Sequence, residues 1–248
     1  MIRLVRIELL KLRTTPAAWV TLALTVLITV ASVFATTLLA GQPGTAPLGS
    51  VENVSKVLAV GAATSIVMLV LGIMIAAGED RHRTNLSTYL AEPRRGRVLV
   101  AKLVTAGGLG AIGGGAIFGL ALAIAVPVYA AKGVHGLHVD VGALWLGTIL
   151  ITACYGLLGV ALGALTRNTV AAIIGALVWV TIVELTILQP LVPVLAKWLP
   201  TGAGVALTST GEATRALLPP ALAALVLVGW AVAIALVASR VTVRRELR

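Results

Sequence analysis

The chain has 248 residues, of which 59% are hydrophobic and 11% charged, and its formal net charge is +10. An average soluble domain carries roughly 25% charged residues, so this one has too little charge to cover the surface of a water-soluble globule. The basic residues are scattered between apolar runs rather than gathered on one face, which speaks against nucleic acid as a partner. The single cysteine, Cys154, excludes an internal disulfide and is expected to be a small core residue.

Residues 2–13, IRLVRIELLKLR, come first. Ile2, Val5, Leu9 and Leu12 recur at helical spacing and predict an apolar stripe, with Arg3, Arg6, Glu8, Lys11 and Arg13 around the remaining circumference. Residues 1–15 are therefore expected to form an amphipathic interfacial helix that lies on a membrane surface and turns at Thr14-Thr15-Pro16.

A bilayer core about 30 Å thick needs about 20 apolar residues at 1.5 Å each. Six runs qualify: 17–40, 57–77, 99–129, 143–165, 169–188 and 220–238. The expectation is an all-α membrane protein with a single six-span transmembrane domain over 1–248. The first run exceeds the roughly 7–15 apolar residues of a secretory signal and is expected to be retained.

The segments that six crossings place on one side hold fifteen Lys and Arg residues: four before span 1, Arg81, Arg83, Arg94, Arg95, Arg97 and Lys102 around the second break, Arg167, and four in the tail. The other side holds only Lys56, Lys132, Lys197 and Arg215. The positive-inside rule makes the rich side, with both termini, cytoplasmic.

Span 3 contains GGLGAIGGGAIFG and span 4 GLLGVALG. The pairs Gly110/Gly114, Gly115/Gly119 and Gly159/Gly163 have small-xxx-small spacing, which predicts close packing of span 3 on span 4. Between spans 5 and 6 the stretch 189–220 is too apolar for a free loop and too broken by Pro190, Pro193 and Pro200 to span. It is expected to form short helices dipping into the outer leaflet, with Trp198 at headgroup level. Trp19 and Trp145 suit interfacial belts, while Trp179, Trp230 and Tyr155 fall mid-span and are expected to pack.

No Gly-Lys dipeptide occurs, so a Walker A loop is excluded, and neither a GxSxG elbow nor an HExxH motif is present. His135 and His138 are expected to be ordinary loop residues, and Asn53-Val54-Ser55 carries no weight as a glycosylation site. The chain is not expected to be an enzyme or to hold a metal. Glu184, in the outward third of span 5, is the charged side chain to explain inside the membrane. It either snorkels to the outer headgroups or faces a protein interface or wet cavity and touches cargo or gating partners.

The segment GEDRHRTNLSTYLAEPRRGRVLVAK (78–102) resembles the first cytoplasmic loop of ABC-2 type permeases, the membrane subunits of a class of bacterial ABC exporters. In that family an acidic residue closes span 2 and is followed by a basic pair, a Thr, a short helix and a Pro-Arg-Arg-Gly-Arg-like turn that opens span 3. Glu79, Arg81, His82, Thr84, Leu90, Pro93, Arg94, Arg95, Gly96, Arg97 and Lys102 stand in matching places. Asp80 replaces the family's usual aromatic residue, and Arg83 its usual small one. IELLKLRTT (7–15), LGALTRNTVAAIIGALVW (162–179) and LPTGAG (199–204) are similar to other parts of the family pattern.

The resemblance implies a cytosolic coupling loop over 78–98, with a coupling helix about Thr84–Leu90 that an ABC ATPase subunit grips. ATP and Mg would be bound by that separate chain, with no cofactor in this one. It also implies a second permease copy, with spans 1, 2 and 5 near the dimer axis, in the bacterial cell membrane. Membrane lipids are the remaining partner, through the basic residues of the N-terminal helix. An ion-coupled secondary carrier and a non-transporting membrane scaffold are the alternatives.

Overall fold

The computed structural model describes residues 1–81, 95–134, 136–210 and 217–244, and these form helices and connecting turns without a strand. Six helices are long and apolar enough to cross a membrane, as the hydropathy pattern predicts.

Helix α1 (Ile2–Thr14) ends at Thr15, whose extended backbone (φ −95°, ψ 121°) turns the chain into α2 (Pro16–Leu38), the first span. Pro16 sits where its missing N–H costs nothing, in the first turn of α2. The Thr14-Thr15-Pro16 turn is thus where the sequence places it.

Span 2 starts earlier than its apolar run suggests. A short helix α3 (Val51–Leu58) precedes α4 (Val60–Arg81), with a break at Ala59. Ser50 caps α3 by accepting from the Asn53 N–H at 3.2 Å, and Glu52 sits in its positively polarised first turn.

Helix α5 (Arg95–Ala131) has 37 residues, about 55 Å at 1.5 Å per residue, so it overshoots a bilayer core about 30 Å thick. Helix α6 (Val141–Thr166) is capped by Asp140, which accepts from the Ala143 N–H. It stops where Arg167 takes the left-handed conformation (φ 51°), and Asn168 at once caps the next helix by accepting from Ala171 N–H at 3.1 Å. Thr-Arg-Asn is therefore a complete turn between spans 4 and 5.

Span 5 begins as α7 (Thr169–Leu177) and continues without a break as a π-helical stretch (Val178–Leu188) and a last turn (Gln189–Leu191). Helices α8 (Pro193–Ala196) and α9 (Pro200–Thr208) follow, and α10 (Pro220–Arg244) is span 6.

Spans 2 and 4 form the centre, with 61% of each window buried, against 22% for spans 1, 5 and 6. Glycines set this arrangement. A Cβ added at Gly110 or Gly114 of span 3 would run into the Thr152 and Thr148 backbone of span 4. One added at Gly159 would strike Leu69 and Gly72 of span 2, and one at Gly163 would lie 2.8 Å from Ile73 O. The predicted span 3–span 4 seam is present at Gly110 and Gly114. The Gly159/Gly163 pair serves a different seam, span 4 against span 2. Gly119 has open space around it and joins no seam. Spacing reveals a smooth helix stripe but not which neighbour covers it.

Three apolar clusters run along the bundle. Leu12, Ile75, Leu99, Ala161 and Ala238 gather the N-terminal helix and one end of spans 2, 3, 4 and 6. Val54, Phe118, Tyr129 and Leu144 close the opposite end. There Tyr129 Oη donates to Asn53 Oδ1 at 2.6 Å and Asn53 Nδ2 donates to Thr36 O at 3.2 Å, tying spans 1, 2 and 3. Asn53 is buried with both ends of its amide engaged, so the Asn-Val-Ser tripeptide has a packing role.

Candidate functional site

Two groups of buried charge stand out. The first lies at the end of the bundle where α4 ends at Arg81 and α5 begins at Arg95. Lys102, on the seventh residue of span 3, is 6% exposed; its ammonium donates to Glu8 Oε2 at 3.1 Å and to Ile75 O at 2.9 Å. Glu8, 5% exposed, accepts from Lys11 Nζ through its other oxygen at 3.0 Å. Helix α1 is thus pinned through one carboxylate to span 3, and the same lysine reaches the backbone of span 2.

This corrects the expected face of α1. The inward side is Leu4, Val5, Glu8, Lys11 and Leu12, while Ile2 and Leu9 of the predicted apolar stripe are exposed. The electrostatics explain the rotation: a lysine buried in span 3 needs an acid, and Glu8 is the acid that α1 carries. Arg3, Arg6 and Arg13 stay exposed and join no buried group among the described residues, so of the four predicted interfacial cations only Lys11 reaches the junction there. Trp19 closes the turn, its Nε1 donating to Arg13 O at 3.1 Å.

Of the residues in the resemblance, Glu79 and Arg81 lie in the last turn of α4, and Arg95 opens α5; for these three only the backbone is described. Gly96 is partly buried and Arg97 exposed at the foot of span 3. His82, Thr84, Leu90, Pro93 and Arg94, and with them the expected coupling helix, lie outside the described residues, as does His135.

The second group is in the membrane half occupied by spans 5 and 6. Glu184 is 1% exposed, so it does not snorkel to the headgroups. Its Oε1 accepts from Trp179 Nε1 at 2.5 Å and its Oε2 from the Thr201 N–H at 3.0 Å. The π-helical geometry makes the first bond possible. In an α-helix residues five apart point about 140° away from each other, whereas a π-helix brings i and i+5 onto one face.

The second bond is a cap. Thr201 lies in the first turn of α9, whose own N-cap residue, Leu199, offers no side-chain oxygen; Glu184 supplies one from another helix. The positive end of the α9 dipole adds to the attraction. Thr201 Oγ1 also meets Tyr155 Oη of span 4 at 3.3 Å. An intramembrane carboxylate costs about 2.5–3.5 kcal/mol on the insertion scale, and these donors offset part of it.

Within the stretch 189–220, the helix α9 is more enclosed by protein than a helix dipping into the outer leaflet would be. Helix α9 is wedged against spans 4 and 6, with Thr201, Gly202, Ala203, Gly204, Ala206, Leu207 and Thr208 buried. Irregular backbone at membrane depth is tolerated where protein covers it. Trp230 Nε1 donates to Trp198 O at 2.9 Å, which holds the preceding turn against span 6.

Spans 2, 4, 5 and 6 and the start of α9 enclose a cavity of about 380 Å³. Its wall is apolar, formed by Leu69, Leu158, Leu162, Ala176, Val180 and Ile234 among others, with Tyr155, Trp179, Trp230 and Glu184 at its aromatic and polar side. Trp179 and Trp230, expected only to pack, line this cavity and are half-exposed, so it opens on the bundle flank between spans 5 and 6.

Scanned against models of known protein families and against curated proteins, the sequence matches none. What the fold defines is a multi-pass helical membrane protein, an architecture that fits membrane transport.

Proposed function

We propose that the chain is the permease subunit of an ABC exporter, in which two copies enclose a translocation path and a separate ATPase chain supplies the work. The observation that carries this reading is the Glu8–Lys102–Ile75 junction. A permease without an ATP site must take up force at its cytoplasmic face, and the junction makes α1, the end of span 2 and the foot of span 3 one body. The 78–102 segment, with its resemblance to a coupling loop, begins in the last turns of span 2 and ends at Lys102 in that body. A push on the loop therefore reaches three elements together instead of bending one helix end.

In this reading Arg94, Arg95 and Arg97 pair with acidic groups on the ATPase, Pro93 ends the loop helix, and Arg3, Arg6 and Arg13 meet lipid phosphates at the inner leaflet. Both termini are cytoplasmic, in a bacterial plasma membrane, and nucleotide and Mg bind the partner. The test is co-purification. The full-length chain, extracted from its native membrane in mild detergent, brings ATP hydrolysis with it, and Arg94→Glu with Arg95→Glu lowers that activity at least tenfold while the chain still inserts. Absence of co-purified hydrolysis, or full hydrolysis with the double variant, refutes the proposal.

A further inference from the structure

The cavity wall is hydrocarbon and aromatic apart from one carboxylate and the Thr166 hydroxyl, which is spent on Leu162 O at 2.9 Å. Among the described residues no Lys, Arg or His comes within ion-pair distance of Glu184. Its two N–H donors occupy one acceptor site on each oxygen, and a carboxylate has about four. Acceptor capacity is left over, and with Glu184 only 1% exposed the carboxylate acts on the cavity mainly through its field, from just behind the wall.

The rings are placed in the same space. Of the chain's five Trp and three Tyr, two Trp and one Tyr line this cavity. Their polar atoms are already used: Trp179 Nε1 on Glu184, Trp230 Nε1 on Trp198 O, and Tyr155 Oη on Thr201. What they offer a ligand is the π-system, whose quadrupole attracts cations.

A lone carboxylate, aromatic rings and an apolar wall together complement one kind of molecule. An anion would be repelled, a neutral molecule would leave the charge unanswered, and a dication would bring one charge too many. We propose that this cavity binds an apolar organic monocation, an alkyl- or arylammonium, with its charged end between Glu184 and the rings and its body along spans 2 and 4. Allowing each non-hydrogen atom about the 30 Å³ that a water molecule takes up in the liquid, the 380 Å³ volume holds a body of about a dozen non-hydrogen atoms. The half-exposed Trp179 and Trp230 mark the flank through which it enters, and in a membrane that flank is lipid, where such amphiphiles concentrate.

The inference deepens the transport reading by naming a cargo class. It rests on that reading only for the ligand's being cargo, since binding needs no ATPase. The test is equilibrium dialysis of radiolabelled hexyltrimethylammonium, which fills about 300 Å³ by the same measure, against the full chain in phosphatidylcholine nanodiscs. Saturable binding of one cation per chain above empty discs is expected, with hexanesulfonate and hexanol failing to compete.

Glu184→Gln is expected to weaken binding at least tenfold. Gly175 lines the cavity and a Cβ there meets nothing within 4 Å, so the Cβ of Gly175→Trp is placed without a clash; its ring is meant to occupy the space, and it decides the case should the Gln variant fail to fold. It is expected to abolish binding. Wild-type binding no greater than to empty discs, unchanged affinity in folded Glu184→Gln or in Gly175→Trp, or equal competition by hexanol or hexanesulfonate would overturn the proposal. Those results would leave the co-purification test of the ATPase partner untouched.

Discussion

Removing one partner of the Glu8–Lys102 pair is the most informative perturbation of the fold. The side chains are 6% and 7% exposed, so the pair belongs to the buried regime, where loss of one partner costs about 3–5 kcal/mol. Lys102→Met leaves Glu8 facing Lys11, whose side chain is 38% exposed and screened by solvent, and this softens the loss. Glu8→Leu leaves Lys102 on Ile75 O. Each single change is therefore expected near the lower limit, about 3 kcal/mol.

The double variant replaces both charges with apolar groups of similar size, which costs far less than the sum; about 1–3 kcal/mol is expected instead of about 6. The coupling energy is then about 3–5 kcal/mol, roughly two to four powers of ten in the unfolding constant. Equilibrium unfolding of the four proteins in mixed micelles, followed by tryptophan fluorescence, measures it. Single effects that add to the double within about 0.5 kcal/mol would show that the two charges do not interact, and the docking of α1 on span 3 would then be wrong.

Gly72→Ala and Gly159→Ala each force a methyl group into the facing backbone of spans 4 and 2 and are expected to destabilise by about 1–3 kcal/mol. Gly119→Ala meets nothing and gains helix propensity, so thermal unfolding of the three variants should rank it at or above wild type. Tyr129→Phe deprives the buried Asn53 Oδ1 of its donor and is expected to cost about 1–3 kcal/mol, read from the same melts, with Asn53→Leu on that background recovering part of the loss.

The six spans were legible because hydropathy over a bilayer's thickness is a one-dimensional quantity, and the turn at Thr15-Pro16 because proline chemistry is local. Helix α3 was hidden for the opposite reason: its residues Glu52, Asn53, Ser55 and Lys56 are too polar for a hydropathy window, although Ser50 carries a capping signal. Glu8 was missed as a buried group because its partner lies 94 residues away. The clue available in sequence was Lys102 itself, a cation inside an apolar run that had to find an acid.

Glu184 could be singled out from sequence as a charge in a membrane span, but the choice between snorkelling and burial depended on atoms elsewhere. Its indole partner is set by a π-helical register that no residue pattern announces, and its second donor is the unsatisfied end of a helix from another segment. The number of crossings and the chemistry of their surfaces follow from which side chains water rejects, and that is written residue by residue. Which glycine meets which span, which face of α1 turns inward, and where a carboxylate, three rings and an apolar wall enclose a space were decided only by packing, because each is a property of residues brought together from distant parts of the chain.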